Sequence, residues 1–251
     1  MNNKDLGYMK KAFLAFIVIL LISCVSSQDF SRVIELQETR MHGADIEKLQ
    51  TKLIESGFTE IGEIDGYYGP EMENTIKKIQ FFLGFEQDGR VDEELWDFLF
   101  DASNKTLIEK ASIVSNYDLN KFRKETGSRM GYSLEGGMIE KYFLGDEIKY
   151  THLILLGETF QSHHYFYYVR PDLYFIIEEH WRYPVSIGYL VYEDEMTEYE
   201  FWEQTTVTYT TYLKSEEGLF EIDNGGFLET DFELDWYLEV IAVDLDLHRQ
   251  S

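Results

Sequence analysis

Four of the six histidines fall near a pair of glutamates: His152, His163 and His164, then Glu178, Glu179 and His180. Imidazole and carboxylate form the ligand set of a catalytic zinc site, which needs three of them on a shared face and an open fourth position. The spacing argues against one. Neighbours on a strand point to opposite faces, so His163 and His164 separate, while alternation through 173–182 gathers Glu178, His180 and Arg182 on one face. No metal site and no cofactor are assigned, and His152, His163, His164, Glu178 and His180 stand only as candidate ligands. The single cysteine, Cys24, leaves no thiol elsewhere for catalysis or for an intrachain disulfide. Carboxylates are too abundant to inform, since with 25 acids in residues 132–251 some pair always falls at a glycosidase-like separation. The runs Glu193-Asp194-Glu195 and Asp244-Leu245-Asp246 lack calcium-loop spacing and read as solvated charge. No residue is given a catalytic role.

The elements that position these residues follow from the whole chain. Its 251 residues suit a small module plus a second domain. A net charge of −25 repels phosphate backbones, so nucleic acid is not an expected partner. At the N-terminus, Lys4, Lys10 and Lys11 precede an apolar run from Ala12 to Ile22. That order is the one found in secretory signals, and the run is shorter than the ~20 residues a membrane span needs. It ends in Leu21-Ile22-Ser23-Cys24, which resembles a bacterial lipobox. The resemblance implies cleavage after residue 23, acylation of Cys24 with palmitate-type chains, and a lipid-anchored mature protein held by more than one chain. An ordinary signal peptide or an uncleaved anchor are the alternatives. Val25 and Ser26, in place of an inner-membrane retention Asp, imply the outer membrane of a diderm cell, on its periplasmic face or its surface.

Residues 43–99 read as helices joined by two like turns. Ile46, Leu49, Leu53 and Ile54 form one apolar stripe, with Asp45 as the expected N-cap and Gly57-Phe58 as the stop. The turn Asp65-Gly66-Tyr67-Tyr68-Gly69 leads into Pro70, suited to the first turn of a helix that carries Ile76, Ile79 and Leu83. Asp88-Gly89-Arg90-Val91 repeats that turn before Leu95, Trp96 and Leu99. Gln50 and Gln80 sit beside the apolar stripes, where an amide is costly unless bonded, so both are expected to tie down loop backbone.

The order Gly43, Asp45, Leu49-Gln50, Leu53, Gly57-Phe58, Ile64-Asp65-Gly66, Tyr68-Gly69, Ile79-Gln80, Gly84, Asp88-Gly89, Val91 and Leu95-Trp96 resembles the peptidoglycan-binding domain family. Met72, Ile79 and Asp92 depart from its usual Thr, Phe and Gly. The resemblance implies a three-helix bundle with peptidoglycan as partner. It makes Asp65, Gly66, Gly69, Asp88 and Gly89 turn formers and Tyr68 a buried slot residue. Tyr67 and Arg90 take the variable, solvent-facing positions and are the candidates for contact with the wall, through stacking on a sugar face and pairing with a stem-peptide carboxylate. An idle surface pair is the alternative.

Residues 102–131 read as a linker with one short helix near 106–113. Beyond it, residues 132–251 carry −19, and runs at 142–156, 162–170, 173–182, 187–192, 201–213, 219–222 and 232–243 read as strands. Short links favour an antiparallel meander, as a curved sheet or a small barrel. Ser162-His163-His164 is similar to the opening of a D-alanyl-D-alanine peptidase motif, but Pro171 replaces the Asp that should follow. The chain is thus read as α+β: signal peptide 1–23, tether 24–41, helical module 42–101, linker 102–131 and acidic β domain 132–251. The function expected is non-enzymatic and lipid-anchored, holding peptidoglycan and presenting the β domain, with a possible protein partner for it. The alternatives are a diverged wall hydrolase or metallopeptidase, and an interaction lipoprotein that has lost wall binding.

Overall fold

The computed structural model describes residues 30–128, 135–186, 197–228, 230 and 234–242. Cys24 and the strand expected at 187–192 lie outside them. The architecture is α+β, with helices in the N-terminal part followed by an eight-stranded antiparallel open sheet.

Among the described residues four α-helices come first: α1 (Ala44–Glu55), α2 (Pro70–Leu83), α3 (Glu93–Phe100) and α4 (Lys105–Ser115). Pro70 opens α2, where its missing N–H costs nothing. Asp92 caps α3 by accepting the Leu95 N–H at 3.0 Å. The N-cap of α1 is Gly43, not Asp45. Asp45 lies one residue inside the helix, where Arg32 clamps it at 2.8 and 3.1 Å, and this pairing holds its carboxyl below the usual range. The residues ahead of α1 are part of the fold. Ile34 is buried and exchanges backbone hydrogen bonds with Val91 at 3.0 and 2.9 Å, and the 41–43 backbone pairs with Gly66 and Tyr68.

The sheet runs in strict sequence order: β1 (Arg123–Ser128), β2 (Gly137–Leu144), β3 (Glu147–Leu156), β4 (Phe160–Arg170), β5 (Leu173–Arg182), β6 (Thr206–Ser215), β7 (Gly218–Asp223) and β8 (Gly226–Leu228). Two segments read as strand are helical. Within 201–213 the first residues belong to α5 (Glu198–Gln204), because Thr197 and Glu200 form a reciprocal capping box at 3.2 and 2.9 Å. Within 232–243 the chain forms α6 (Leu234–Ala242). Leu234, Tyr237, Leu238 and Ile241 make the i, i+3, i+4, i+7 stripe of a helix, and α6 packs that stripe on one sheet face. The buried Lys141 of β2 donates to the Ile241 carbonyl at 2.6 Å, placing a cation at the negative end of α6.

Each face of the sheet has its own core. One face, with Ile139, Leu153, Phe166 and Ile176, lies under α6. The other carries Leu173, Phe175, Ile177, Leu213 and Ile222 and shares a continuous core with the helices. Phe82 of α2 meets Phe175 at 5.5 Å and Tyr167 at 5.0 Å, both edge-on, and Leu107, Ile108, Ala111 and Val114 of α4 complete the layer. The end of α2 is capped by the sheet itself. Asn224 and Gly225 donate to the Gly84 and Leu83 carbonyls at 3.2 and 2.7 Å, and the Thr211 hydroxyl donates to the Phe81 carbonyl at 3.0 Å. A Cβ on Gly84 would stand 2.1 Å from the Ile222 carbonyl oxygen, so this close approach requires glycine.

Candidate functional site

Two turns, residues 65–69 and 88–92, are built on one plan. Gln50 of α1 accepts from the Asp65 and Gly66 N–H groups at 3.1 and 2.8 Å, and its amide donates to the Asp65 carboxylate at 2.8 Å and the Tyr67 carbonyl at 3.3 Å. Gln80 of α2 repeats this, accepting from Gly89 N–H at 2.8 Å and donating to the Asp88 carboxylate at 2.8 Å and the Arg90 carbonyl at 3.1 Å. Each Asp closes its own turn by accepting the N–H two residues on, Tyr67 at 2.9 Å and Arg90 at 2.8 Å. Both glutamines are buried, so these bonds satisfy amides that would otherwise be costly. Gly66 and Gly89 have φ of +72° and +74°, the left-handed conformation that favours glycine. The Gln50 bond, ahead of the Tyr67 N–H, holds the Asp65 carboxyl below its usual range.

Tyr68 ties the turns together. Its ring is fully buried and its hydroxyl donates to the Gly89 carbonyl at 2.6 Å, while burial pushes its ionisation well up and keeps it neutral. Tyr67 points outward at 46% exposure, its ring 4.3 Å from that of His42. The Arg90 guanidinium lies 3.0 Å from Glu35 and 3.9 Å from Asp88. The surface across the turns therefore offers an aromatic face with a neighbouring imidazole, and an arginine oriented by two carboxylates.

The sheet separates the candidate metal ligands. His152 and His163 share the face that meets the helices, beyond the helical contact, with ring nitrogens 2.8 Å apart. Burial, with the neighbouring imidazole, pushes His152 down to about 4. Beside them Glu179 accepts from Trp181 at 2.9 Å, Tyr209 at 3.1 Å and the Tyr165 hydroxyl. His164, Glu178 and His180 lie on the opposite face. His164 is fully buried, bonded through Nε2 to the Ser162 hydroxyl at 3.0 Å, and desolvation pushes it down to about 3. Its Nδ1 lies 3.7 Å from Glu178, whose own pKa burial raises. Among the described residues no three His, Cys, Asp or Glu side chains are placed to hold a metal ion. Sequence reasoning missed the His152–His163 pair and the aromatic shell of Glu179. The signal was present in the alternation along 150–165, but only cross-strand register shows which residues stand side by side.

Fold and site together define a helical module whose two Asp-Gly turns are braced by buried glutamines, joined to an antiparallel meander. Residues 42–99 match a family model, that of the "Putative peptidoglycan binding domain". The match covers α1, α2, nearly all of α3 and both turns, and extends neither to α4 nor to the sheet. It supports peptidoglycan as the partner of the module and association with the cell envelope. No curated protein and no solved structure matches the chain. Among the described residues no helix is long and apolar enough to cross a membrane.

Proposed function

We propose that this chain is a non-catalytic, lipid-anchored envelope protein that holds peptidoglycan through the module and presents the sheet to a further partner. The observation that carries the reading is the family match over 42–99. The intact pair of glutamine-braced turns within it, with Tyr67 and Arg90 on their outer side, supports the same reading. The anchor rests on Cys24 behind its short apolar run, in a cell whose outer membrane receives the protein. Cys24 lies 18 residues ahead of residue 42, where the matched module begins, so membrane and wall attachments are encoded close together.

Wall contact is tested by sedimenting the chain from residue 25 onward with purified sacculi. Tyr67→Ala and Arg90→Ala should each lower the bound fraction while leaving the melting temperature in place. Retention equal to that of the parent chain would remove both residues from the contact. Anchoring is tested by feeding cells labelled palmitate. The label should enter the protein and be lost in Cys24→Ser, and label persisting in that variant would contradict acylation at Cys24.

A further inference from the structure

We propose that a groove between helix α4 and the β6–β7 hairpin binds a short peptide carrying a free amine and a free carboxylate, the chemistry of a wall stem peptide. This deepens the wall-binding reading and rests on it. The groove encloses about 700 Å³ and lies outside the matched family region, where α4 meets the sheet. Open concavities of this size with an apolar floor and a few polar groups at a junction between substructures are the usual form of a small-ligand site.

Its floor is Leu107 of α4, Leu173 of β5 and Leu213 of β6, all of which belong to the shared core and are held fixed by it. Phe220 and Phe227 close one side, their rings 5.8 Å apart and edge-on, with Phe227 53% exposed. An aromatic left this open beside an apolar floor offers surface to a ligand.

The charges decide which ligand. Arg170, on the rim, is already neutralised by Asp172 and Glu216, each at 2.8 Å. Lys110 on the helical wall and Glu217 on the hairpin wall line the same groove with no ion-pair partner among the described residues. An ammonium and a carboxylate lining one groove complement a ligand that carries both a free carboxylate and a free amine. A glycan strand is a poorer fit, because a neutral sugar chain brings no charge to meet Lys110 and Glu217.

The test titrates the chain from residue 25 onward, which retains every described residue, with the synthetic tetrapeptide L-alanyl-γ-D-glutamyl-diaminopimelyl-D-alanine. Binding is followed by amide chemical shifts. Saturable shifts should cluster at residues 103–110, 213–220 and 227. Lys110→Ala and Glu217→Ala, both surface changes, should each weaken binding about fivefold, as loss of one solvent-facing charge pair does. Capping the peptide's carboxylates and amines should abolish it. Three results would overturn the groove: shifts that do not saturate, shifts confined to residues 65–69 and 88–92, or unchanged affinity in both variants. Parallel sedimentation with sacculi separates the two claims. A chain retained by sacculi that ignores the tetrapeptide refutes the groove and leaves the wall reading intact. A chain that binds the tetrapeptide in the groove but is not retained supports the groove and refutes wall holding through the module.

Discussion

Gln50 and Gln80 each place one amide against three or four polar groups of a turn, so the two turns are held from inside the core and do not depend on their outer side chains for their shape. Replacing Gln80 by Leu removes the acceptor for the Gly89 N–H and the donor to Asp88 and Arg90. The expected loss is about 2–3 kcal/mol, the cost of stranding buried polar groups, read as a lower urea midpoint at unchanged slope. Histidines set a second residue-scale effect. Burial pushes His152 and His164 down to about 4 and about 3, against an unfolded value near 6.5, so between those limits the unfolded chain binds more protons than the folded one. Their contribution is complete above pH 6.5 and is lost as pH falls toward 4. Stability should therefore drop by as much as ~1.4 kcal/mol per pH unit for each histidine in that window, with a shallower slope in His164→Gln. Unchanged urea midpoints between pH 7 and pH 5 would contradict this. The glutamine brackets were readable from the sequence, because an amide beside an apolar stripe demands a partner. The histidine pairings were not, because they depend on the register between β3, β4 and β5.

At the scale of elements, α2 is the joint between the two halves of the chain. Its first residue follows one turn, its glutamine braces the other, and its last carbonyls are capped by the β7–β8 turn. Phe175→Ala on the facing sheet opens the layer against Phe82 and should cost about 3–5 kcal/mol. Loss of the module's contacts and loss of the sheet's signal should then occur in one transition, so tryptophan fluorescence and far-UV circular dichroism should report the same midpoint. Separate midpoints would mean that the shared core does not couple the two parts. The helix boundaries around both turns were legible, since Pro70, Gly84 and the Asp-Gly pairs punctuate them. The tail was misread because Leu234, Trp236, Leu238 and Val240 also alternate as a strand would, and only tertiary packing selected the helical stripe. The missed helix α5 carried its own signal in Thr197 and Glu200, a capping box outweighed by the aromatic and β-branched residues that follow.

For the whole molecule, charge shapes how the wall is met. With −25 overall, the protein is repelled by a wall whose stem peptides carry carboxylates, so long-range attraction cannot account for binding. Short-range contacts, proposed above for the turns and for the groove beside α4, are left to carry it, and added salt, by screening the long-range repulsion, should leave retention equal or higher. The sheet adds an acidic body to the module, and its ligand was not legible because strand patterns specify a core and not a partner. The most direct test of the account is co-sedimentation of the chain from residue 25 onward with purified, protein-free sacculi at low and at 0.15 M salt. The account predicts saturable retention that holds or rises with salt and disappears when the sacculi are first digested to soluble fragments. Absence from the pellet at both salt concentrations would contradict it.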